Sequence, residues 1–304
     1  MSQTTLEYAA DELLSLSIIM GTPIVIVEGF DDVPIYERIS SNLDFGCEIY
    51  ASENILCHEE GCNGVIKNIQ AIRDASEGIP IERHILGIID RDVRAYRNEI
   101  PTDDAILVLT YYSIESHFVS AQATAHLIPL MTRATSRLVS PTLPQELFDR
   151  IRSSMMSLFI ISLEALRNAC DQSYVALHGY SNSIKAIINS IDMDHLESKR
   201  DDLITFAHSM KIRECWEDLL LVCKGKWLLE TFHEELIKEV KMLPGLCQAG
   251  AITQCQFCIN GEHSKCLYKS PGHITHPILA NFSAQNIDYS NLTYIKERIQ
   301  TLEH

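Results

Sequence analysis

Residues 24–36 read IVIVEGFDDVPIY, and this stretch decides the fold class. It begins with four β-branched residues, a short apolar run that is typical of a buried strand. Glu28 follows the run directly, and Asp31 and Asp32 come just before a helical pattern. Because buried or crowded negative charge is costly unless a positive group neutralises it, the stretch predicts a strand that ends at a cation or a basic partner.

Strand and helix patterns alternate around this stretch. Strands are predicted over residues 24–27, 48–51, 84–89 and 105–109, and helices over residues 5–19, 32–41 and 65–75. The alternation predicts an α/β domain with a mostly parallel sheet and flanking helices. In such a sheet the carboxyl ends of all strands lie along one edge, where ligands bind.

The pattern changes after about residue 125. Strand patterns end, and helices are predicted over residues 145–169, 178–191, 201–210 and 215–241. We therefore predict two domains, an α/β domain over residues 1–125 and a largely helical domain over residues 126–304. The second domain ends in a less regular segment that contains a cysteine cluster.

The composition limits the classes of function. The 304 residues carry a formal net charge of −16, and 46% of them are hydrophobic. An acidic chain is a poor non-specific binder of nucleic acid, although a local basic cleft remains possible. The first residues lack the basic start of a secretory leader, and no apolar run is long enough to span a bilayer. The sequence therefore predicts a cytoplasmic protein with no membrane partner.

Two further acids follow another buried strand. Asp90 and Asp92 end the predicted strand at residues 84–89, and side chains two residues apart in extended chain point to the same side. Carboxylate oxygens suit Mg²⁺ or Mn²⁺, so we predict a metal site of Glu28, Asp90 and Asp92. Two alternatives stay open: the acids at 90 and 92 close a solvated turn, and Asp32 caps a helix.

Arginines come close behind the second acidic pair. Arg91, Arg94 and Arg97 form a local basic patch in an otherwise acidic chain. Guanidinium groups bind phosphates through paired hydrogen bonds, so Arg91 and Arg94 are predicted phosphate-binding residues. The alternative is that these arginines lie on the surface and balance nearby acids.

The order of these motifs resembles that of a known fold. IVIVEGFDD followed by LGIIDRD resembles the TOPRIM fold, the metal-binding module of topoisomerases, primases and OLD-family nucleases, over roughly residues 20–120. The resemblance implies a second acid at Asp32 and a further acid at Glu115 in TYYSIESHF, and a second ion shared with Asp32 or Glu115. It also implies a lysine near that ion, for which Lys224 and Lys226 are candidates. The implied catalytic residues are Glu28, Asp32, Asp90, Asp92 and Glu115.

Within that fold, the closer likeness is to TOPRIM-like anti-phage effectors that accompany ABC-type ATPases, above all the AriB-type effectors of the PARIS system. Their order of EG-x-D-D, D-R-D and I-E-S matches this chain. The resemblance implies a Mg²⁺-dependent nuclease that an ATPase partner restrains, and that dimerises on release and cleaves host tRNA. Two alternatives are an OLD-like DNA nuclease and a non-hydrolytic regulatory module that docks on an ATPase.

A cysteine cluster lies near the carboxyl end. Residues 255–266 read CQFCINGEHSKC, and three thiolates with one imidazole can complete a tetrahedral Zn²⁺ site. The predicted ligands are Cys255, Cys258, His263 and Cys266. Because the final spacing is short for a zinc knuckle, Cys247, His273 and His276 remain alternatives for the fourth ligand. The cysteines could equally be plain thiols.

Overall fold

The computed structural model describes residues 8–41, 43–55, 59–190, 193–272 and 274–303. Its internal contacts divide the chain into two compact units. The first unit joins Met1–Thr110 with Tyr289–His304, and the second is Tyr111–Asp288. These units divide the chain at residues 110/111 and place the carboxyl-terminal segment in the first unit, whereas the sequence pattern suggested a single boundary at residues 125/126. Local sequence patterns carry no signal for this placement.

The first unit is built on a parallel sheet. Within the described residues its strands are β1 Ile24–Val27, β2 Glu48–Ala51, β3 Ile85–Ile89 and β4 Ile106–Val108. They are ordered β2-β1-β3-β4, and every pairing is parallel. The structure therefore confirms the predicted α/β class with a parallel sheet, and it reproduces the predicted bounds of β1 and β2.

Helices flank this sheet. In the first part of the chain they are α1 Ala10–Met20, α2 Val33–Ser40, α3 Gly61–Ala75 and the short α4 Arg94–Arg97. Every residue of β1 and β3 is buried. Since successive side chains of a strand point to opposite faces, both faces of these strands are covered. On one face Ile24 and Ile26 pack in a hydrophobic cluster with Leu13 of α1 and Val65 and Ile69 of α3.

The second unit is helical in the part that the structure describes. Its helices are α5 Ala121–Met131, α6 Leu143–Met155, α7 Leu158–Cys170, α8 Ile184–Ser190, α9 Met193–Ser198, α10 Arg200–Ser209, α11 Trp216–Val222, α12 Gly225–Ala249, α13 Gln256–Ile259 and α14 His276–Gln285. The first nine residues of α7 are buried, and Glu164 among them is paired with Lys199 at 3.1 Å. Trp227 and Phe232 of α12 add large buried rings to this core.

The last helix, α15 Thr293–Gln300, belongs to the first unit. Its Ile295 and Ile299 are fully buried, and Arg298 donates to the backbone carbonyl of Asp104 at 2.7 Å. Glu303 donates its N–H to the carbonyl of Arg83 at 2.6 Å. These bonds fasten the carboxyl-terminal segment to the loops beside β3 and β4.

Two of the long helices predicted for the second half are wrong, because each is broken. The predicted helix over residues 145–169 is α6 and α7, which are separate on either side of Met156 and Ser157. The predicted helix over residues 215–241 is α11 and α12, with a break at Cys223 and Lys224, whose ψ angles of 127° and 126° are extended. Both predicted helices have continuous apolar periodicity, which gives no sign of the residues that interrupt them.

Among the described residues, no helix combines the length and the apolar character that crossing a membrane requires.

Candidate metal sites

Glu28 stands at the carboxyl end of β1, next to β3 in the sheet. Its Oε1 accepts a hydrogen bond from the backbone N–H of Asp90 at 2.8 Å. Its backbone carbonyl accepts hydrogen bonds from Ser52 Oγ at 2.9 Å and from the N–H of Gly61 at 3.0 Å. The ends of two neighbouring strands and the start of α3 therefore hold this residue in place.

Negative charge accumulates around Glu28. Burial raises the pKa of its carboxyl group to about 7; the N–H of Asp90 and the charge of Arg94 oppose this shift, and the charges of Asp92 and Asp32 add to it. The structure thus brings together four of the five predicted catalytic acids at the strand ends. A carboxyl group with a pKa this high is a common feature of functional sites.

The local backbone conformation sets the positions of Asp32 and Asp92. Asp32 occupies the N-cap position of α2, but its Oδ2 accepts from the N–H of Gly29 at 3.2 Å and makes no capping bond to the helix. The capping role that was an alternative for Asp32 is therefore not formed. Asp92 adopts a φ of 46°, in the left-handed region that few residues other than glycine occupy. Such backbone strain is concentrated at functional sites.

The spacing of the carboxylates differs from that of a closed metal site. Within the described residues they do not form a closed set of three ligand atoms within 4.8 Å of one another, a spacing that a group of four cysteines does meet. Mg²⁺ commonly binds one or two carboxylates and retains several waters, and its oxygen preference matches these donors. The joint ligation by Glu28, Asp90 and Asp92 stays a prediction.

The arginines behind β3 have different environments. Arg94 donates to Asn63 Oδ1 at 2.8 Å, and its charge acts on the carboxylate cluster as described above. The Nε of Arg91 is buried and has no hydrogen-bond partner in the described part of the chain. Arg97 is exposed and pairs with Glu99 at 3.9 Å. Arg91 and Arg94 are thus the two arginines with features suited to a ligand.

Tyr36 belongs to the site but was not predicted from the sequence. It lies on α2, and burial raises the pKa of its phenol, with further contributions from the charges of Asp90 and Asp32. The hydroxyl therefore stays protonated beside carboxylates. The available signal was the spacing of four residues from Asp32, which places both residues on the same side of a helix.

Glu115, the fifth predicted acid, lies in the second unit. It accepts a short hydrogen bond from Ser113 Oγ. The backbone of Gly225, at the start of α12, lies so close that a Cβ there would be 2.9 Å from Glu115 Oε2 and 1.9 Å from Ser113 Oγ. Position 225 therefore requires a glycine. The catalytic role of Glu115 stays a prediction.

The predicted lysines also lie in the second unit. Lys224 donates its Nζ to the backbone carbonyl of Tyr180 at 2.8 Å, which gives this ammonium group a structural role. Lys226 is exposed. Their predicted proximity to a metal ion stays a prediction.

Four cysteines of the second unit meet in one buried group. Their Sγ atoms lie within 4.8 Å of one another, and the four residues are Cys247, Cys255, Cys258 and Cys266. Each is at most 4% exposed. Three of the predicted ligands are therefore confirmed as neighbours. The fourth member is Cys247, one of the three alternatives.

His263, the predicted imidazole ligand, is wrong as a member of this group. It is exposed, in a turn between Cys258 and Cys266. His276 contacts the ring of His233, with 2.9 Å between their Nδ1 atoms, and His273 lies outside the described residues. The thiol of Cys247 was less visible in the sequence because it lies 8 residues before Cys255, outside the closely spaced motif at residues 255–266.

Two glycine turns bring the cysteines together. α12 ends just after Cys247 at Gly250, whose φ is 72°, and the chain then reverses toward Cys255. Cys255 precedes α13, which carries Cys258, and the following turn uses Gly261 with a φ of 77°. Glycine adopts this left-handed conformation without the steric cost that a side chain brings.

The cysteine group favours a charged sulfur. Burial opposes ionisation of Cys255, but hydrogen bonds from the N–H groups of Leu267 and Cys258 and from neighbouring thiols lower its pKa to about 6. All four members are thiols and not disulfides. The group could hold a metal ion such as zinc.

Fold and sites together define a class: an α/β unit with carboxylates at the carboxyl edge of a parallel sheet, joined to a helical unit with a four-cysteine group. The chain matches no model of a known protein family, and no curated protein is significantly similar to it.

Proposed function

We propose that this chain is a metal-dependent nuclease of the TOPRIM type, with the carboxylates at the sheet edge as its active site. The environment of Glu28 is the observation that carries the proposal. A buried carboxyl group at a strand end, beside the charges of Asp92 and Asp32, is unfavourable unless a cation neutralises it. The carboxyl edge of a parallel sheet is also where such folds bind ligands.

The chain's own residues have separable roles in this proposal. Glu28, Asp90 and Asp92 bind Mg²⁺ or Mn²⁺ together with water. When bound, the ion supplies Lewis-acid polarisation of a phosphate oxygen and makes water more acidic. The Nε of Arg91 binds the phosphate, because a buried donor without a partner is costly until a ligand satisfies it. The guanidinium of Arg94 adds a positive charge that attracts the phosphate.

The biological setting of the proposal rests on the resemblance to TOPRIM-like defence effectors. In that setting the substrate is host tRNA, an ABC-type ATPase restrains the chain, and the released chain acts as a homodimer in the cytoplasm. The net charge of −16 favours a compact RNA that is held in a local cleft over a long duplex that needs a broad basic surface.

The test is cleavage by purified protein. Wild type, Glu28→Gln and Asp90→Asn are incubated with tRNA and with duplex DNA in Mn²⁺ or Mg²⁺, and the broken ends are sequenced. We expect wild type to cleave tRNA and each variant to lose activity by about 100-fold or more. Glu37→Gln, which removes an exposed charge from α2, serves as the matched control and should keep full activity.

The outcomes separate the candidate functions. Cleavage of DNA but not of RNA would replace the proposal with an OLD-like nuclease. If a purified ATPase partner binds the chain and the released chain cleaves neither substrate, the chain is a regulatory module. Folding of each variant is checked by circular dichroism, so that a loss of activity can be assigned to the site.

A further inference from the structure

We propose that the four cysteines Cys247, Cys255, Cys258 and Cys266 bind one zinc ion, and that this ion is structural. The inference is independent of the nuclease proposal, because the cysteines lie in the second unit and the carboxylates around Glu28 lie in the first. It depends on the spacing, burial and chemistry of the sulfur atoms.

The spacing of the sulfurs matches a single tetrahedral ion. With zinc–sulfur bonds of about 2.3 Å, neighbouring sulfurs in a tetrahedron are about 3.8 Å apart. Cys255 Sγ and Cys266 Sγ are 4.0 Å apart, and all four sulfurs lie within 4.8 Å of one another. A disulfide needs a sulfur separation of about 2.0 Å. A cluster of several iron and sulfide ions would hold the thiolates further apart, because the cluster itself lies between them.

The chemistry of the group also favours zinc over a hard cation such as Mg²⁺. Four thiolates are soft ligands, which bind zinc in closed structural sites and suit Mg²⁺ poorly. The N–H of Cys255 points at Cys247 Sγ at 3.3 Å, a hydrogen bond that helps to stabilise negative charge on a metal-bound sulfur. Because all four members are buried thiols, the group has no open position for substrate, and a catalytic role is not expected.

The ion would stabilise the carboxyl-terminal end of α12, where the helix propensity is low. Pro244 and Gly245 lie inside this helix just before Cys247, and both residues are poor helix formers. The segment that carries the other three cysteines is tied in turn to residues 133–138. Leu267 accepts from the N–H of Arg133 at 2.9 Å, and the Tyr268 hydroxyl donates to the carbonyl of Leu138 at 3.0 Å. One zinc would therefore link the end of α12 to the segment that follows α5.

The first test is metal content. Full-length protein, purified without chelator under reducing conditions, is analysed for zinc and iron by mass spectrometry. We expect about one zinc per chain in wild type and in Cys223→Ser, and less than a tenth of that in Cys258→Ser. Cys223 is the matched control because it is also a fully buried thiol but lies outside the group.

A second measurement covers the case in which Cys258→Ser does not fold. Wild-type protein is stripped of zinc and titrated with Co²⁺, whose visible spectrum reports tetrahedral thiolate ligation. Thiolate-to-cobalt absorption that saturates at about one ion per chain, and that zinc abolishes, supports the site. Wild type without zinc or cobalt binding, with iron in place of zinc, or with these cysteines joined as disulfides in the native protein would overturn the proposal.

Discussion

At the scale of single residues, Glu28 explains why the sheet edge is a candidate for chemistry. Burial removes water from this carboxyl group, and the neighbouring acids repel its charged form. The pKa of Glu28 is therefore raised to about 7. The N–H of Asp90 at 2.8 Å compensates only part of this cost. A divalent cation would reverse the balance, because it binds the charged form.

This balance predicts a pH-dependent stability in the absence of a divalent metal. The folded state keeps the Glu28 proton up to about pH 7, whereas the unfolded chain loses it near 4.5. The folded state therefore binds more protons across that interval, and the free energy of unfolding falls as the pH rises through it. The expected fall is at most about 3 kcal/mol. Urea unfolding between pH 4.5 and 8, in metal-depleted buffer without chelator, measures it.

Variants assign this dependence to one residue. Glu28→Gln should flatten the pH profile of unfolding relative to wild type, while Glu37→Gln should leave it unchanged. Saturating Mg²⁺ should restore stability to wild type above pH 7 and have no such effect on Glu28→Gln. Identical pH slopes for wild type and Glu28→Gln would contradict the role of this carboxyl group.

The acids at the sheet edge could be grouped from the sequence, whereas the residues around them could not. Glu28, Asp90 and Asp92 could be grouped because parallel strands end at one edge, a rule that needs no knowledge of side-chain contacts. Tyr36 and the buried Nε of Arg91 could not, because their environment depends on how α2 and the loop after β3 pack. His263 was chosen over Cys247 for a similar reason: sequence proximity favoured the histidine, and the reversal after α12 favoured the cysteine.

At the scale of elements, the packing of α3 on β3 depends on a residue without a side chain. A Cβ at Gly87 would lie 2.7 Å from Val65 Cγ1 and 3.0 Å from Ile69 Cγ1. The helix can approach the strand this closely only because position 87 is glycine. This approach joins β3, which directly precedes Asp90, to α3, which begins at Gly61. The N–H groups of Asp90 and Gly61 both donate to Glu28.

Gly87→Ala should therefore destabilise the protein, even though alanine is usually the better residue outside turns. The clash forces α3 or its side chains to shift, and we expect a loss of about 1–3 kcal/mol in the free energy of unfolding. Gly46→Ala is the matched control, because a Cβ there meets nothing within 4 Å, and its effect should stay within about 1 kcal/mol. Chemical denaturation measures both effects.

A second substitution tests the cause of that loss. Adding Val65→Ala to Gly87→Ala removes the methyl group nearest to the new Cβ, so the double variant should lose less than the sum of the two single losses. Strict additivity would mean that the helix does not press on position 87. The bounds of β1 and β2 follow from local sequence pattern, whereas continuous apolar periodicity gives no sign of the helix breaks after α6 and before α12.

At the scale of the whole molecule, the chain divides its two candidate metal sites between two units. The carboxylates around Glu28 belong to the first unit and the four cysteines belong to the second, so the sites share no residue. The first unit also includes α15, which the sequence placed in the helical domain. Residues that contact each other from opposite ends of a chain leave no periodic signal, and only the coordinates reveal them.

We therefore expect the two sites to fail independently. In Glu28→Gln, zinc content should remain at about one ion per chain, while Mn²⁺ affinity, measured by electron paramagnetic resonance, should fall by about tenfold or more. In Cys258→Ser the pattern should reverse, with zinc lost and Mn²⁺ affinity kept within about twofold, because substitutions without shared partners act additively. Loss of both metals in either variant would mean that the units depend on each other for folding, and then neither loss could be read as the removal of a ligand.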